Sequence, residues 1–323
     1  MKTQDCAIRL REETGKIFIG KEKQVELIIM SVFAGGHVLL DDLPGSGKTT
    51  LIKTMSRALG CEFRRIQFTP DLLPSDILGM TVYDRQSGEF RLVKGPVFTH
   101  ILLADEINRA IPRTQSALLE AMEEFQVTID NETLPLTEPF FVMATQNPVE
   151  RESTFKLPAA QMDRFFVRLS LGFPDRAEEV KMLSELGDSI DFSAVNVISS
   201  PEELMEIRAE IQSVHISEPV MQYIVELVQR TREDAALKAG ASPRASRCLY
   251  QGGKSYAAMQ GRDYVTPEDI QAIFLPVLGH RVQVTAEAKY TGKTEQQVLE
   301  AILESTPVPP DKGAMFNGAA AEK

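Results

Sequence analysis

Five short apolar runs recur along the first half of the chain, and each is too short to be a helix. Runs of this length are typical of strands buried on both faces of a parallel sheet. Helical periodicity separates the runs, which predicts an α/β core with five parallel strands flanked by helices. The strands are expected near residues 37–40, 62–68, 101–104, 140–145 and 166–171.

Sequence signals for helices occur between the strands of the core and dominate the second half of the chain. A helix is predicted from Lys48 to about Leu59, closed by Gly60, and an amphipathic helix is predicted to begin near Pro112. After Gly172 the strand signals largely stop. The capped starts Ser200-Pro201-Glu202-Glu203 and Thr266-Pro267-Glu268-Asp269 predict further helices.

This pattern predicts two domains and two insertions. The core is expected over residues 1–172, a smaller all-α lid over 173–305, and a disordered tail over 306–323, where proline and small residues accumulate. Hairpin patterns interrupt the core at about 71–94 and 126–136. Such hairpins can line a pore or contact a client protein, but a plain surface hairpin explains the pattern equally well.

Composition narrows the class of protein. The chain has 323 residues, of which 43% are hydrophobic and 25% charged, as in an ordinary globular protein. Its formal net charge of −11 disfavours a grip on nucleic acid, which requires a basic surface. We expect no membrane insertion and a cytoplasmic location, because no apolar run approaches the roughly 20 residues of a membrane helix. The scattered Cys6, Cys61, Cys248, His37, His100, His215 and His280 predict neither a disulfide frame nor a metal site.

The loop after the first strand has the residues of a phosphate cradle. It reads Asp42-Leu43-Pro44-Gly45-Ser46-Gly47-Lys48-Thr49, with Asp42 in place of the usual first glycine. Backbone N–H groups of such a loop and the following helix start bind phosphate, while the lysine reaches the β and γ phosphates and the hydroxyl ligates Mg²⁺. The alternative is an ordinary strand-to-helix turn.

Two more predicted strands end in polar side chains. The third strand delivers Asp105 and Glu106, which predicts one carboxylate for Mg²⁺ and one to orient the attacking water. The fourth is followed by Gln146-Asn147-Pro148, so Asn147 is a candidate nucleotide sensor. The alternatives are an acid-rich helix start for the first pair and a turn-forming asparagine for the second.

The chain resembles the MoxR family of AAA+ ATPases, within the clade that carries an insert in helix 2. The resemblance runs from Ile19-Gly20-Lys21-Glu22 to His280-Arg281. Its most specific stretch extends from Gly95-Pro96-Val97-Phe98 through the two acids to Ile107-Asn108-Arg109-Ala110 and on to Glu124. Departures fall at Ser153, Lys156 and Ala159, where the family usually has glycine, proline and glutamate.

The resemblance implies a role for each candidate residue. Pro44, Gly45, Ser46, Gly47, Lys48, Thr49 and Thr50 would bind the phosphates of ATP, Thr49 and Asp105 would hold Mg²⁺, and Ile19 and Gly20 would line the adenine pocket. Glu106 would be the catalytic acid of Walker B, Asn147 sensor 1, and Arg244 sensor 2. Arg164 would be the arginine finger that acts on a neighbouring subunit's ATP, with Arg168 as the alternative.

The implied function is Mg²⁺-dependent ATP hydrolysis by a homo-oligomeric ring, expected to be a hexamer. Such a ring would remodel, mature or activate protein complexes, with protein clients and a von Willebrand factor A domain partner. One alternative is a nucleic-acid motor of the helicase type, since replicative MCM helicases share the helix-2 insert. Another is a nucleotide-gated scaffold with little hydrolysis, which the intact pair Asp105-Glu106 disfavours.

Overall fold

The chain folds into two compact units. The computed structural model describes residues 1–130, 132–147, 154–187 and 190–309. The core unit comprises Cys6–Glu206, and the C-terminal unit comprises the residues from Ile207 onward together with Met1–Asp5. The departure at Ser153, Pro148 after the candidate sensor, and all but the first four residues of the predicted tail at 306–323 lie outside the described residues.

The core unit contains the predicted α/β architecture. Its helices are α1 (Lys2–Gly15, whose first residues group with the other unit), α2 (Glu22–Ala34), α3 (Lys48–Ala58), α4 (Pro74–Leu78), α5 (Pro112–Glu124), α6 (Ala159–Met162) and α7 (Arg176–Leu186). Its strands are β1 (Val38–Asp41), β2 (Phe63–Gln67), β3 (Gly79–Asp84), β4 (Glu89–Lys94), β5 (Ile101–Asp105), β6 (Gln126–Ile129), β7 (Glu132–Pro135), β8 (Phe141–Gln146) and β9 (Val167–Leu169).

The main sheet has five parallel strands in the order β2, β5, β8, β1, β9, which confirms the predicted fold class. Every residue of β5 is buried, as expected for a strand covered on both faces. Because the strands are parallel, the carboxyl ends of β1, β5 and β8 meet at the same edge. That edge carries the candidate site.

Two antiparallel hairpins lie where the sequence places insertions. In the first, β3 pairs with β4 from Gly79 opposite Lys94 to Asp84 opposite Glu89. Tyr83 and Phe90 stack edge-to-face on it with ring centroids 5.3 Å apart, and Phe90 is 75% exposed. In the second, β6 pairs with β7. Asn131, in the predicted turn of this second hairpin, lies outside the described residues.

The core unit extends beyond residue 172, where the sequence places the domain boundary. The backbone N–H of Ile198 donates to the carbonyl of Ala58 at 2.7 Å, and Arg57 Nε donates to the carbonyl of Val195 at 3.0 Å. These bonds attach the segment after α7 to helix α3 of the core. The loss of strand signals after Gly172 marks where the sheet ends, but it carries no information about what the following segment packs against.

The C-terminal unit is mainly helical. Its helices are α8 (Pro201–Ser213, which begins in the core unit), α9 (Glu218–Glu233), α10 (Pro243–Met259), α11 (Pro267–Leu278), α12 (Ala286–Tyr290) and α13 (Glu295–Ser305). Helices α8 and α11 begin at the prolines that the capping signals predict. A short antiparallel ribbon of β10 (Leu237–Ala239) and β11 (Gln283–Val284) is added, and strands this short leave no periodic pattern in a sequence. Among the described residues, no helix combines the length and apolarity needed to cross a lipid bilayer.

Candidate nucleotide-binding site

The loop between β1 and α3 has the backbone geometry of an anion cradle. Gly45 and Gly47 adopt left-handed conformations, with φ of +87° and +81°, which side chains rarely tolerate. A Cβ atom built on Gly45 would meet nothing within 4 Å, so the loop faces open space at that point. Ser46 Oγ is buried and, among the described residues, has no hydrogen-bond partner. The first N–H groups of a helix have no partner within the helix, so the start of α3 adds donors, and these features fit a bound phosphate chain.

Lys48 folds back over this loop. Its Nζ donates to the backbone carbonyls of Leu43 at 2.8 Å and Asp42 at 3.2 Å. Burial lowers the pKa of Lys48 below its usual range, and three nearby carboxylates oppose that shift, those of Asp42, Asp105 and Glu106. The interaction with the last two shows that the folded core brings the loop and the acidic pair together, as the sequence predicts.

The side chain of Asp42 has a role that the sequence did not reveal. It is only 4% exposed, and its carboxylate accepts three hydrogen bonds from the segment after β9. The donors are Ser170 Oγ at 2.8 Å, the N–H of Leu171 at 2.8 Å and the N–H of Gly172 at 2.9 Å. The only signal in the sequence was an acid standing where the phosphate loop usually has glycine.

One hydroxyl group contacts both the carboxylate of Asp105 and the backbone of Glu106. Thr145 on β8 donates from Oγ1 to Asp105 Oδ1 at 2.6 Å, and the same oxygen accepts the backbone N–H of Glu106 at 2.8 Å. The second carboxylate oxygen of Asp105 accepts a hydrogen bond from Arg65 at 2.6 Å. Sequence reasoning assigned no function to Thr145, because a threonine inside an apolar strand resembles any other β-branched residue.

The carboxylate of Glu106 is held by two further side chains. Gln67 Nε2 donates to Glu106 Oε2 at 2.8 Å, and Arg109 Nη1 donates to the same oxygen at 3.0 Å. The backbone of Glu106 is left-handed, with φ of +56°. This conformation lets the chain leave β5 and enter the short turn at Ile107–Arg109.

Asn147 lies immediately beyond β8 and is buried next to the acidic turn. The backbone carbonyl of Asn147 accepts a hydrogen bond from Asn108 Nδ2 at 3.2 Å, and its backbone N–H donates to Asn108 Oδ1 at 3.4 Å. Asn108 therefore ties the candidate sensor to the turn that follows Glu106. Gln115 of α5 reinforces this turn, because its amide donates to the carbonyls of Ile107 and Ala110.

A cavity of about 190 Å³ opens beside the phosphate loop. Of the two residues expected at an adenine pocket, Ile19 lines the cavity and Gly20 is not among the lining residues. A Cβ added at Gly20 would come within 2.1 Å of Glu178, which does line it. Gly45, Ser46, Gly47 and Thr50 connect the cavity to the cradle. Its other lining residues are Ile17, Phe18, Lys21, Gly172, Phe173, Pro174, Glu178, Glu179, Met182, Leu186 and Ile190.

The predicted arginines occupy different places. Arg164 lies between α6 and β9, and its Nε pairs with Glu123 Oε2 of α5 at 2.8 Å. Arg168 lies on β9 and pairs with Asp41 at the end of β1. Arg244 is the second residue of α10 in the C-terminal unit, so its role as sensor 2 stays a prediction.

The fold and this set of residues define a P-loop ATPase of the AAA+ class. Comparison with family models gives the same class. The model of the ATPase family associated with various cellular activities matches residues 37–167, and the AAA lid domain model matches residues 229–302.

Comparison with known proteins gives the family. YeaC, an uncharacterized protein of Bacillus subtilis, is 42% identical over 94% of this chain and 95% of its own length. Chaperone MoxR1 of Mycobacterium tuberculosis is 37% identical over 92% of this chain and 81% of its own. The crystal structure of a protein described as an ATPase from Cytophaga hutchinsonii is 39% identical, covers 95% of this chain and 97% of that one, and superposes with a TM-score of 0.88. The chain belongs to the MoxR family of AAA+ ATPases.

Replacement of Thr145 by valine should slow ATP hydrolysis. Valine keeps the shape of the side chain but neither donates to Asp105 nor accepts from the backbone of Glu106. Each acid therefore loses one of the hydrogen bonds that hold it in place. We expect kcat to fall about 10- to 100-fold, the usual effect of removing a group that orients ligating or catalytic residues. Thr145→Ser keeps the hydroxyl and should stay close to the wild type. Equal kcat values for Thr145→Val and the wild type would contradict this role.

The lowered pKa of Lys48 predicts a pH-dependent cost in stability. A lysine whose pKa is lower in the folded than in the unfolded chain destabilises the fold while it is charged. The cost is complete below the lowered pKa and disappears as the pH rises toward the pKa of the unfolded chain. The Tm difference between Lys48→Met and the wild type should therefore shift in favour of the wild type as the pH rises from neutral toward about 10, the ordinary pKa of a lysine.

A second variant serves as the control for that measurement. Neither methionine nor arginine titrates in this range, so the Tm difference between Lys48→Met and Lys48→Arg should stay constant with pH. Thermal unfolding of the nucleotide-free proteins in a series of buffers gives both differences. A constant difference between Lys48→Met and the wild type would show that the pKa of Lys48 is not lowered.

Proposed function

We propose that this ATPase works as a homo-oligomeric ring, expected to be a hexamer, that uses Mg²⁺-dependent ATP hydrolysis to remodel, mature or activate protein complexes. The observation that carries the catalytic part is the convergence at one sheet edge of the phosphate loop and the acidic pair. There Lys48 interacts electrostatically with Asp105 and Glu106, and Thr145 holds both acids.

The residues of the site fit the phosphates and a divalent cation. Gly45, Gly47 and the start of α3 form the cradle, and Lys48 needs only to exchange its two loop carbonyls for phosphate oxygens. Thr49 and Asp105 would hold Mg²⁺, whose contribution is to neutralise charge on the β and γ phosphates. Hydroxyl and carboxylate oxygens are ligands that this cation prefers.

Glu106 is proposed as the residue that orients and polarises the attacking water. Gln67 and Arg109 hold its carboxylate by hydrogen bonds, so the carboxylate is preorganised before ATP binds. Asn147 is proposed to contact the γ phosphate or the water from the end of β8, and Asn108 fixes its backbone. Ile19 would contact the base in the cavity next to the cradle, and Gly20 is proposed to contribute beside it.

Arg164 is proposed as the finger that reaches the ATP of a neighbouring subunit. Arg168 stays the alternative, and each arginine is paired with a carboxylate of its own subunit, Arg164 with Glu123 and Arg168 with Asp41. Arg164 also borders a polar cleft between α5 and α6, lined by Ser116, Glu120, Glu124, Gln126, Ala160 and Gln161. No residue of the phosphate loop belongs to that cleft, which supports action on a different subunit's nucleotide.

The proposed clients are protein complexes, with a von Willebrand factor A domain protein as partner and the cytoplasm as compartment. The support is membership of the MoxR family, in which the relative from Mycobacterium tuberculosis is named a chaperone. The formal net charge of −11 points the same way, because a nucleic-acid motor needs a basic surface. The helicase alternative has no comparable support.

Replacement of Glu106 by glutamine should separate nucleotide binding from hydrolysis. The amide has nearly the same shape but does not polarise water as a carboxylate does, so ATP should bind with wild-type affinity and turn over very slowly. Binding is measured by titration calorimetry and turnover by phosphate release. Lys48→Ala is the matched control and should lose binding itself. Undiminished turnover in Glu106→Gln would remove this residue from its proposed role.

The same two variants test the proposed clients. Glu106→Gln loaded with ATP should retain partners from a lysate of the source cell, and Lys48→Ala should not. Recovery of a von Willebrand factor A domain protein or a defined enzyme complex on the ATP-bound form alone would support the chaperone function. Recovery of nuclease-sensitive, DNA-associated proteins would favour a nucleic-acid motor instead.

Replacement of Arg164 by alanine should leave assembly intact and abolish hydrolysis. Arginine fingers contribute about 10³- to 10⁵-fold to kcat in related phosphoryl transfers. Because the finger acts on the neighbour, mixed rings of Arg164→Ala and Lys48→Ala subunits should regain activity that neither variant has alone. Phosphate release from the mixture measures this recovery. No recovery in mixed rings that demonstrably form would contradict action between subunits.

A further inference from the structure

The carboxylate of Asp42 connects the phosphate loop to the segment that follows β9. On one side Asp42 is the first residue of the phosphate loop. On the other it accepts three hydrogen bonds from Ser170, Leu171 and Gly172, and two of these come from backbone N–H groups. A buried carboxylate with three donors holds its partners in one geometry, since breaking such bonds leaves charge unsatisfied.

The segment that Asp42 holds, residues 170–172, continues into residues that line the cavity beside the phosphate loop. Gly172, Phe173 and Pro174 line that cavity together with Gly45 and Gly47 of the phosphate loop. The shape of the cavity therefore depends on how the loop and this segment are held relative to each other. The pairing of β1 with β9 ends at Leu40 and Leu169, and beyond it the carboxylate of Asp42 bonds the loop to the segment.

We propose that Asp42 is a positioning residue that couples the phosphate loop to the wall of the adenosine pocket and thereby sets the share of nucleotide affinity that comes from the nucleoside. The proposal rests on the nucleotide site described above. On this proposal the acid at position 42 has a function of its own, which the glycine usual at this position would not provide.

The proposal and simple electrostatics predict opposite effects of removing Asp42. Its carboxylate acts on Lys48, which would face the phosphates. Loss of a negative charge there should leave phosphate binding unchanged or make it tighter. Loss of the three hydrogen bonds should loosen the pocket wall and weaken binding of the nucleoside. Glycine, the residue usual at this position, should therefore weaken nucleotide binding.

The test compares two ligands that share the diphosphate, one with the nucleoside and one without it. Titration calorimetry on the full chain measures the Kd of MgADP and of magnesium pyrophosphate, neither of which carries a γ phosphate. For Asp42→Gly we expect the Kd of MgADP to rise on the order of tenfold, equivalent to about one lost hydrogen bond, while the Kd of pyrophosphate stays within about twofold or falls. Equal proportional changes for both ligands would overturn the proposal.

Three more variants make the test specific. Asp42→Asn keeps one of the two acceptor oxygens, and Ser170→Ala removes one of the three donors, so both should raise the Kd of MgADP less than Asp42→Gly does. Asp41→Asn removes a neighbouring negative charge but leaves the three bonds in place, and it should not change the ratio of the two Kd values. If Asp42→Gly does not fold, Asp42→Asn and Ser170→Ala decide the matter, and an unchanged ratio in both overturns the proposal.

One comparison separates this inference from the proposed site itself. Lys48→Ala should lose both MgADP and pyrophosphate. If it binds both normally, the site is wrong, and the inference fails with it. If it loses both while the ratio in Asp42→Gly equals that of the wild type, the site stands and the coupling through Asp42 is rejected.

Discussion

The candidate site depends on the parallel pairing of β5 with β8. The register places Ala104 opposite Ala144, so Thr145 of β8 and Asp105 of β5 emerge side by side at the carboxyl edge. One hydroxyl then holds the carboxylate of Asp105 and the backbone of Glu106. A shift of one residue in this register would turn Thr145 to the opposite face of the sheet. The positions of Asp105 and Glu106 are therefore set by the register of the sheet and not by a loop.

The sequence was most informative where a residue's role is tied to a strand end. The five strands, the phosphate loop and the acidic pair could be predicted because apolar runs end abruptly in glycine or carboxylate. Thr145, Gln67 and Asn108 could not be predicted, since each acts through a contact with a residue about 39 positions away and only the folded sheet brings the two together. The same limitation concealed the partners of Asp42.

Three polar side chains inside the core unit fix irregular stretches of backbone. Asn108 holds the main chain of Asn147, Gln115 holds the turn after β5, and Asp42 holds the segment after β9. Each replaces the pairing that a strand or helix would otherwise provide, which a buried irregular backbone requires. A nucleotide site made of loops can thus be as well defined as the sheet beneath it.

The left-handed backbone of Glu106 has an evolutionary consequence. A glutamate in this conformation costs the folded chain on the order of 1 kcal/mol, whereas glycine or asparagine would adopt it more readily. With Glu106 in its proposed catalytic role, substitutions that relieve this strain would stabilise the fold and abolish turnover. Selection for turnover would then be what keeps an acid at this position, and a descendant that kept the fold but lost the enzymatic task would be expected to change here early.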